Sequence, residues 1–167
     1  KLKNNIKSNK SDINKLDNYA YNRYQFEEFV KSNFDKYHII RLPMLFGKRL
    51  KKNILHDLLN DKFINNINKA SIFQWYPIKN IWSDITKIIE DDIRLINLIS
   101  EPVPLVDIID QYFNKREFIY NEKTAIKTDI KTIYNSYSGL EKNYLISKNE
   151  IIDEIGRFIK NYHLDVG

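Results

Sequence analysis

Hydrophobic positions first fall into a helical rhythm at Tyr19. Tyr19, Phe26 and Val30 share a stripe with Arg23, Phe29 widens it, and no Gly or Pro intervenes, so the pattern predicts a helix from Tyr19 to Phe34. Residues 1–18 ahead of it are rich in Asn, Lys and Ser without apolar periodicity and are expected to form a polar lead-in loop. Tyr37 to Leu42 is short, β-branched and closed by Pro43, as in a buried strand. Pro43 to Gly47 is then expected to be a loop at that strand's carboxyl end, where open α/β sheets place ligands.

The same alternation continues. Lys51 to Leu59 predicts a helix with Ile54, Leu55, Leu58 and Leu59 on one side, and Ser71 to Tyr76 a short strand. Asn80 is placed to cap a helix through Glu90 that turns Ile81, Ile85, Ile88 and Ile89 inward. Ile93 to Ile99 is a second apolar strand, and Glu101-Pro-Val-Pro104 introduces a helix through Tyr112. Phe118 to Tyr120 predicts a small strand. Ser147-Lys-Asn-Glu150 is a capping box ahead of a final helix bearing Ile151, Ile152, Ile155, Phe158 and Ile159. Strands alternating with helices predict an α/β fold with a largely parallel sheet and flanking helices. Residues 19–167 form one unit, with no repeat or linker dividing them.

Composition adds a few exclusions. The 167 residues, 43% hydrophobic and 13% aromatic, suffice for one buried core. No apolar run reaches the ~18 residues of a membrane span, and no signal-peptide pattern opens the sequence. Cys is absent, which excludes disulfides and thiolate metal sites and favours a cytoplasmic setting. The three His are isolated, so no histidine metal site is expected, and His56-Asp57 is expected on a solvated face. The net charge of +5 is spread along the chain, apart from Lys48-Arg-Leu-Lys-Lys52, and argues against a dedicated nucleic-acid surface. Trp75 and Trp82 are expected in the core.

Several stretches together carry a family resemblance. Tyr19-x-x-x-Arg23 with Glu27 one turn on, then Ile40-Arg-Leu-Pro43-x-Leu-Phe-Gly47, resembles the extended short-chain dehydrogenases/reductases, the NAD(P)-dependent epimerases, dehydratases and reductases of nucleotide sugars. Lys51-Lys-Asn53, Phe73-Gln-Trp-Tyr76, Asn80-Ile-Trp82-x-Asp84-Ile85 and Ile96-Asn-Leu98 leading to Glu101-Pro102 continue the resemblance in order over residues 17–113. It implies the carboxyl-terminal half of a Rossmann-like enzyme with a small substrate-binding portion, in which hydride moves to or from NAD or NADP and a tyrosine moves the matching proton. A free phenol ionises near pH ~10, so such a tyrosine needs a cation close by. By resemblance Tyr19 is that acid/base and Arg23 its electrostatic and ribose-binding partner. Tyr21 and Tyr24 are competing phenols with no cation four residues on, and Arg23 to Glu27 also has the spacing of a simple helix pair.

Further roles follow from the same resemblance. Pro43, Met44 and Leu45 match the segment that contacts the nicotinamide, Lys52 and Asn53 stand where members meet the sugar or its phosphates, and Gln74 and Tyr76 are nearby substrate-binding candidates. Homodimers through the tyrosine helix are also implied. Two departures stand out. Arg23 replaces the usual Lys, keeping the charge but altering reach and removing a titratable proton. The glycines lie at 47, 139, 156 and 167, so no Gly-rich dinucleotide loop is present. About four βα units of ~30 residues each are expected upstream of Lys1, and the fragment alone is expected to be inactive. The alternatives are a non-catalytic interaction module retaining the scaffold and, third, a basic nucleic-acid-binding domain, which steeply salt-dependent affinity would mark.

Overall fold

The computed structural model describes residues 18–134 and 143–162. Of the lead-in expected over residues 1–18, residues 1–17 lie outside them, and Asn18 is already helical. The first described element is α1 (Asn18–Asn33), followed by strands β1 (Ile39–Arg41) and β2 (Met44–Phe46), helix α2 (Ile54–Leu59), and strands β3 (Ile72–Phe73) and β4 (Trp75–Pro77). Helix α3 (Ile81–Glu90), strands β5 (Leu95–Asn97) and β6 (Val103–Pro104), and helices α4 (Leu105–Tyr112) and α5 (Lys148–Asn161) complete the order. β1 pairs in parallel with β5, β2 in parallel with β4, and β3 antiparallel with β6. The described strands thus form three two-stranded sheets, two parallel and one antiparallel, with helices flanking them: an α/β fold of Rossmann-like character.

Alternation along β2 and β4 divides the core in two. Phe46 and Trp75 point into the larger cluster with Phe73, Leu55, Leu58, Ile108 and Ile155. Their neighbours Leu45 and Tyr76 point the other way, to Ile88, Ile93, Ile96 and Leu98. The larger cluster buries one face each of α2, α4 and α5.

Several expectations are corrected. Pro43 to Gly47 is not all loop, because Met44–Phe46 pairs with Trp75–Pro77, and Pro43 is tolerated as the residue entering the strand. Ser71 to Tyr76 is two strands, broken at Gln74, whose amide makes the contacts that a backbone ladder would otherwise make. The helix over Lys51 to Leu59 starts only at Ile54. Asn80 makes no side-chain cap: it ends the 3₁₀ turn Ile78–Asn80 in helical conformation, so its side chain cannot reach back as a cap does. Ile89 and Trp82 lie seven residues apart on the flank of α3, about a quarter-turn from Ile88, and both are exposed, Trp82 at 75%. Ile119 forms only an isolated bridge to Asn68 rather than a strand. Ser147 caps α5 as expected, its hydroxyl accepting the Glu150 N–H at 3.2 Å.

Gly47 turns the chain out of β2 with φ near 149°, a conformation L side chains rarely adopt, and a Cβ there would collide with the Ile78 methyl. Gly47→Ala is expected to cost about 2–4 kcal/mol, read as a lowered denaturation midpoint. No helix among the described residues is long and apolar enough to cross a membrane.

Candidate functional site

The candidate residues form two groups joined by one ion pair. The first is on α1, where the Arg23 guanidinium lies over the Tyr19 ring, 5.2 Å from its centroid, as four-residue helical spacing permits. Both side chains are exposed, Tyr19 at 69%. Glu27 does not serve as Arg23's helical partner. Its carboxylate accepts from Arg41 Nε at 2.8 Å and Nη2 at 2.5 Å, a two-pronged pair that fastens α1 to the carboxyl end of β1, two residues before Pro43. These bonds, more than the opposing effect of burial, hold the Arg41 pKa above its ordinary value.

The second group gathers around β2 and β4. Met44 and Leu45 stand opposite Trp75 and Tyr76, and the Met44 N–H donates to the Gln74 carbonyl at 3.2 Å. Asn53 donates through Nδ2 to the Leu45 carbonyl, and its Oδ1 accepts the His56 N–H at 2.8 Å, capping α2. Lys52 beside it is exposed. Thus Pro43, Met44, Leu45, Asn53, Gln74 and Tyr76 lie near one another, with Tyr19 and Arg23 connected to them through Glu27 and Arg41.

The polar atoms of three of these residues are engaged inside the protein. Gln74 is buried, its Nε2 donating to the carbonyls of Ser100 and Ile130, both at 2.8 Å, and its Oε1 accepting the Ile130 N–H at 2.7 Å. The buried Tyr76 hydroxyl donates to Asp84 Oδ2 at 2.5 Å. Burial first, then the Asp84 carboxylate, pushes the phenol far above its ordinary range, so it stays a donor at any working pH. Asn53 is occupied by the cap and the β2 carbonyl. His56 is not on a solvated face: its side chain is largely buried, and its Nδ1 lies 3.6 Å from Asp57 Oδ1 without a hydrogen bond among the described residues.

Sequence reasoning gave no role to a hollow of about 510 Å³ lined by Glu101, Pro102, Lys131, Asn143, Tyr144 and Lys148. The Tyr144 hydroxyl donates to Asp129 at 2.5 Å, Lys131 pairs with Asp129 at 2.9 Å, and Lys148 pairs with Asp107 at 2.6 Å. Glu101 accepts the Lys148 N–H at 2.8 Å. Three carboxylates thus offset two ammonium groups, and the hollow has no excess positive charge to attract an anion. No group of three or more His, Cys, Asp or Glu suited to a metal occurs among the described residues.

This arrangement of strands and helices occurs in solved structures. One, titled UDP-galactose 4-epimerase, superposes with a TM-score of 0.53 at 12% identity, over 86% of this chain and 52% of that one. The chain shares the fold of the matched part of that structure. At that identity the likeness establishes the fold alone, and the chain spans about half the length of the matched structure. No family model and no curated protein matches the sequence.

Proposed function

We propose that this chain is the carboxyl-terminal part of an NAD(P)-dependent oxidoreductase or epimerase acting on a nucleotide-linked or related sugar. The observation that carries the reading is the Arg23 guanidinium held over the Tyr19 ring, on a helix that leads into a strand of the parallel sheet. In this reading Tyr19 exchanges a proton with the sugar hydroxyl or carbonyl, and Arg23 supplies positive charge and a ribose contact. The dinucleotide, when bound, supplies the hydride acceptor or donor.

Arg23, Pro43, Met44 and Leu45 would hold the nicotinamide end. Leu42 is exposed and Pro43 and Met44 are only part-buried, which leaves the carboxyl end of β1 open to a flat ring. Lys52, exposed beside Asn53, suits a phosphate of the substrate. Gln74 and Tyr76 serve the site as its supporting wall.

Calorimetry on the full-length protein tests this: titrated NAD(H) or NADP(H) is expected to bind with a dissociation constant in the micromolar range. Absence of binding selects a second reading, an interaction module that keeps the scaffold. The internal engagement of Asn53, Gln74 and Tyr76 favours that reading.

A further inference from the structure

Residues 126–130 form an open edge whose sequence is complementary to its own reversal. The segment runs parallel to β3. The Ile126 carbonyl accepts the Ile72 N–H at 2.8 Å, the Thr128 N–H donates to the Ile72 carbonyl at 3.0 Å, and the Ile130 N–H donates to Gln74 Oε1 at 2.7 Å. Alternation turns the N–H and carbonyl groups of Lys127 and Asp129 to the other edge, where no strand lies among the described residues. Side chains alternate as well, so Ile126, Thr128 and Ile130 share one face and Lys127 and Asp129 the opposite one. Ile126 is 58% and Ile130 40% exposed, and Lys127 and Asp129 are exposed too. Open edges are commonly guarded by lysine, whose like charges repel when two copies of an edge meet. Here the edge charges are opposite in sign and two residues apart, so two copies attract.

We propose that this edge pairs antiparallel with the same edge of a second copy of the chain, about a two-fold axis through Thr128. That axis sets Lys127 opposite Asp129 of the second copy, and Asp129 opposite its Lys127. Both pairs fall at outward-facing positions, where antiparallel neighbours exchange their N–H and carbonyl groups. On the other face Ile126 meets Ile130 of the second copy, which removes exposed apolar area from water. Thr128 meets Thr128, like the charge pair a stabilising cross-strand combination. Moving the axis to Lys127 or to Asp129 sets like charges against each other, so the pattern also fixes the register. A foreign strand needs only the backbone groups; the match of 126–130 with its own reversal is particular to a second copy. The contacts these side chains already make leave room for it. Tyr144 and Lys131 both use Oδ1 of Asp129, so Oδ2 is unengaged among the described residues, and the Lys127–Glu122 pair is exposed and contributes little. The pairing does not depend on the cofactor reading.

The test is hydrogen exchange at the Lys127 and Asp129 amides in full-length protein. Two paired five-residue segments form far less than the ~1,600 Å² of a standard interface, so a weak dimer with a dissociation constant of about 0.1 mM is expected. Exchange at both amides should then slow by about threefold or more between roughly 20 µM and roughly 1 mM protein. Exchange that stays fast at both concentrations overturns the proposal. Protection that does not change with concentration assigns the edge to the protein's own chain and overturns it too. In Lys127→Asp both edge charges are negative and in Asp129→Lys both are positive, so each variant alone is expected to lose the concentration dependence. An equimolar mixture of the two is expected to regain it, because each edge then meets its opposite, whereas mixing cannot repair a folding defect. Single variants that keep the parental behaviour, or a mixture as unprotected as its components, would remove the charge match and the proposal with it.

Discussion

Full-length protein carrying Tyr19→Phe is expected to turn over roughly 10²- to 10⁴-fold more slowly than the parent, with dinucleotide affinity unchanged within about twofold. The substitution removes one hydroxyl and little else. The phenyl ring still offers its face to the Arg23 guanidinium, so the cation stays where the tyrosine held it. Tyr19 is exposed, so no buried packing or internal hydrogen bond is lost and the stability of α1 should not change. Turnover followed by nicotinamide absorbance, with affinity by calorimetry, separates the loss of a proton carrier from loss of the cofactor. Tyr24→Phe serves as the control, since Tyr24 has no cation four residues on. A Tyr19→Phe enzyme with parental turnover would remove Tyr19 from the chemistry.

Gln74→Leu is expected to destabilise the protein by about 3–5 kcal/mol, seen as a lower urea midpoint with an unchanged slope. The leucine nearly preserves volume but leaves the carbonyls of Ser100 and Ile130 and the N–H of Ile130 without the amide. Each unsatisfied buried group costs about 1–3 kcal/mol, and relaxation of the 130 segment recovers part of the sum. A residue serving only as a substrate contact would give the opposite result, a raised KM with the midpoint intact. The variant therefore decides between a wall and a ligand.

The contrast between these two residues shows what the chain's pattern could reveal. Helices α1, α4 and α5 were legible because 3.6-residue periodicity and caps are local properties, as Ser147 over Glu150 illustrates. The α/β class was legible from the alternation of such segments. Strand β2 was not, because Pro43 and Gly47 punctuate it as a loop and only pairing with Trp75–Pro77, some thirty residues on, makes it a strand. The outward turn of Trp82 and Ile89 was equally hidden, since apolar identity does not say which flank of α3 meets the core. Of the candidate site, the Tyr19–Arg23 pairing follows from four-residue spacing, whereas the fork joining Glu27 to Arg41 spans fourteen residues between two elements. For Gln74, the sequence shows an amide beside two aromatics. Its partners lie 26 and 56 residues away, so its commitment to the backbone is a tertiary fact.

Asn53 has a consequence for the basic turn that precedes it. Its amide reaches back to the Leu45 carbonyl while its backbone sits at φ 154°, so residues 46–52 form a ring stapled at the neck. Lys48, Arg49, Lys51 and Lys52 all ride on that ring. The entropy of closing it is surrendered once, when the protein folds. Under the proposed reading, a phosphate arriving there would meet a backbone already ordered, and less of the free energy of that encounter would go into ordering the chain.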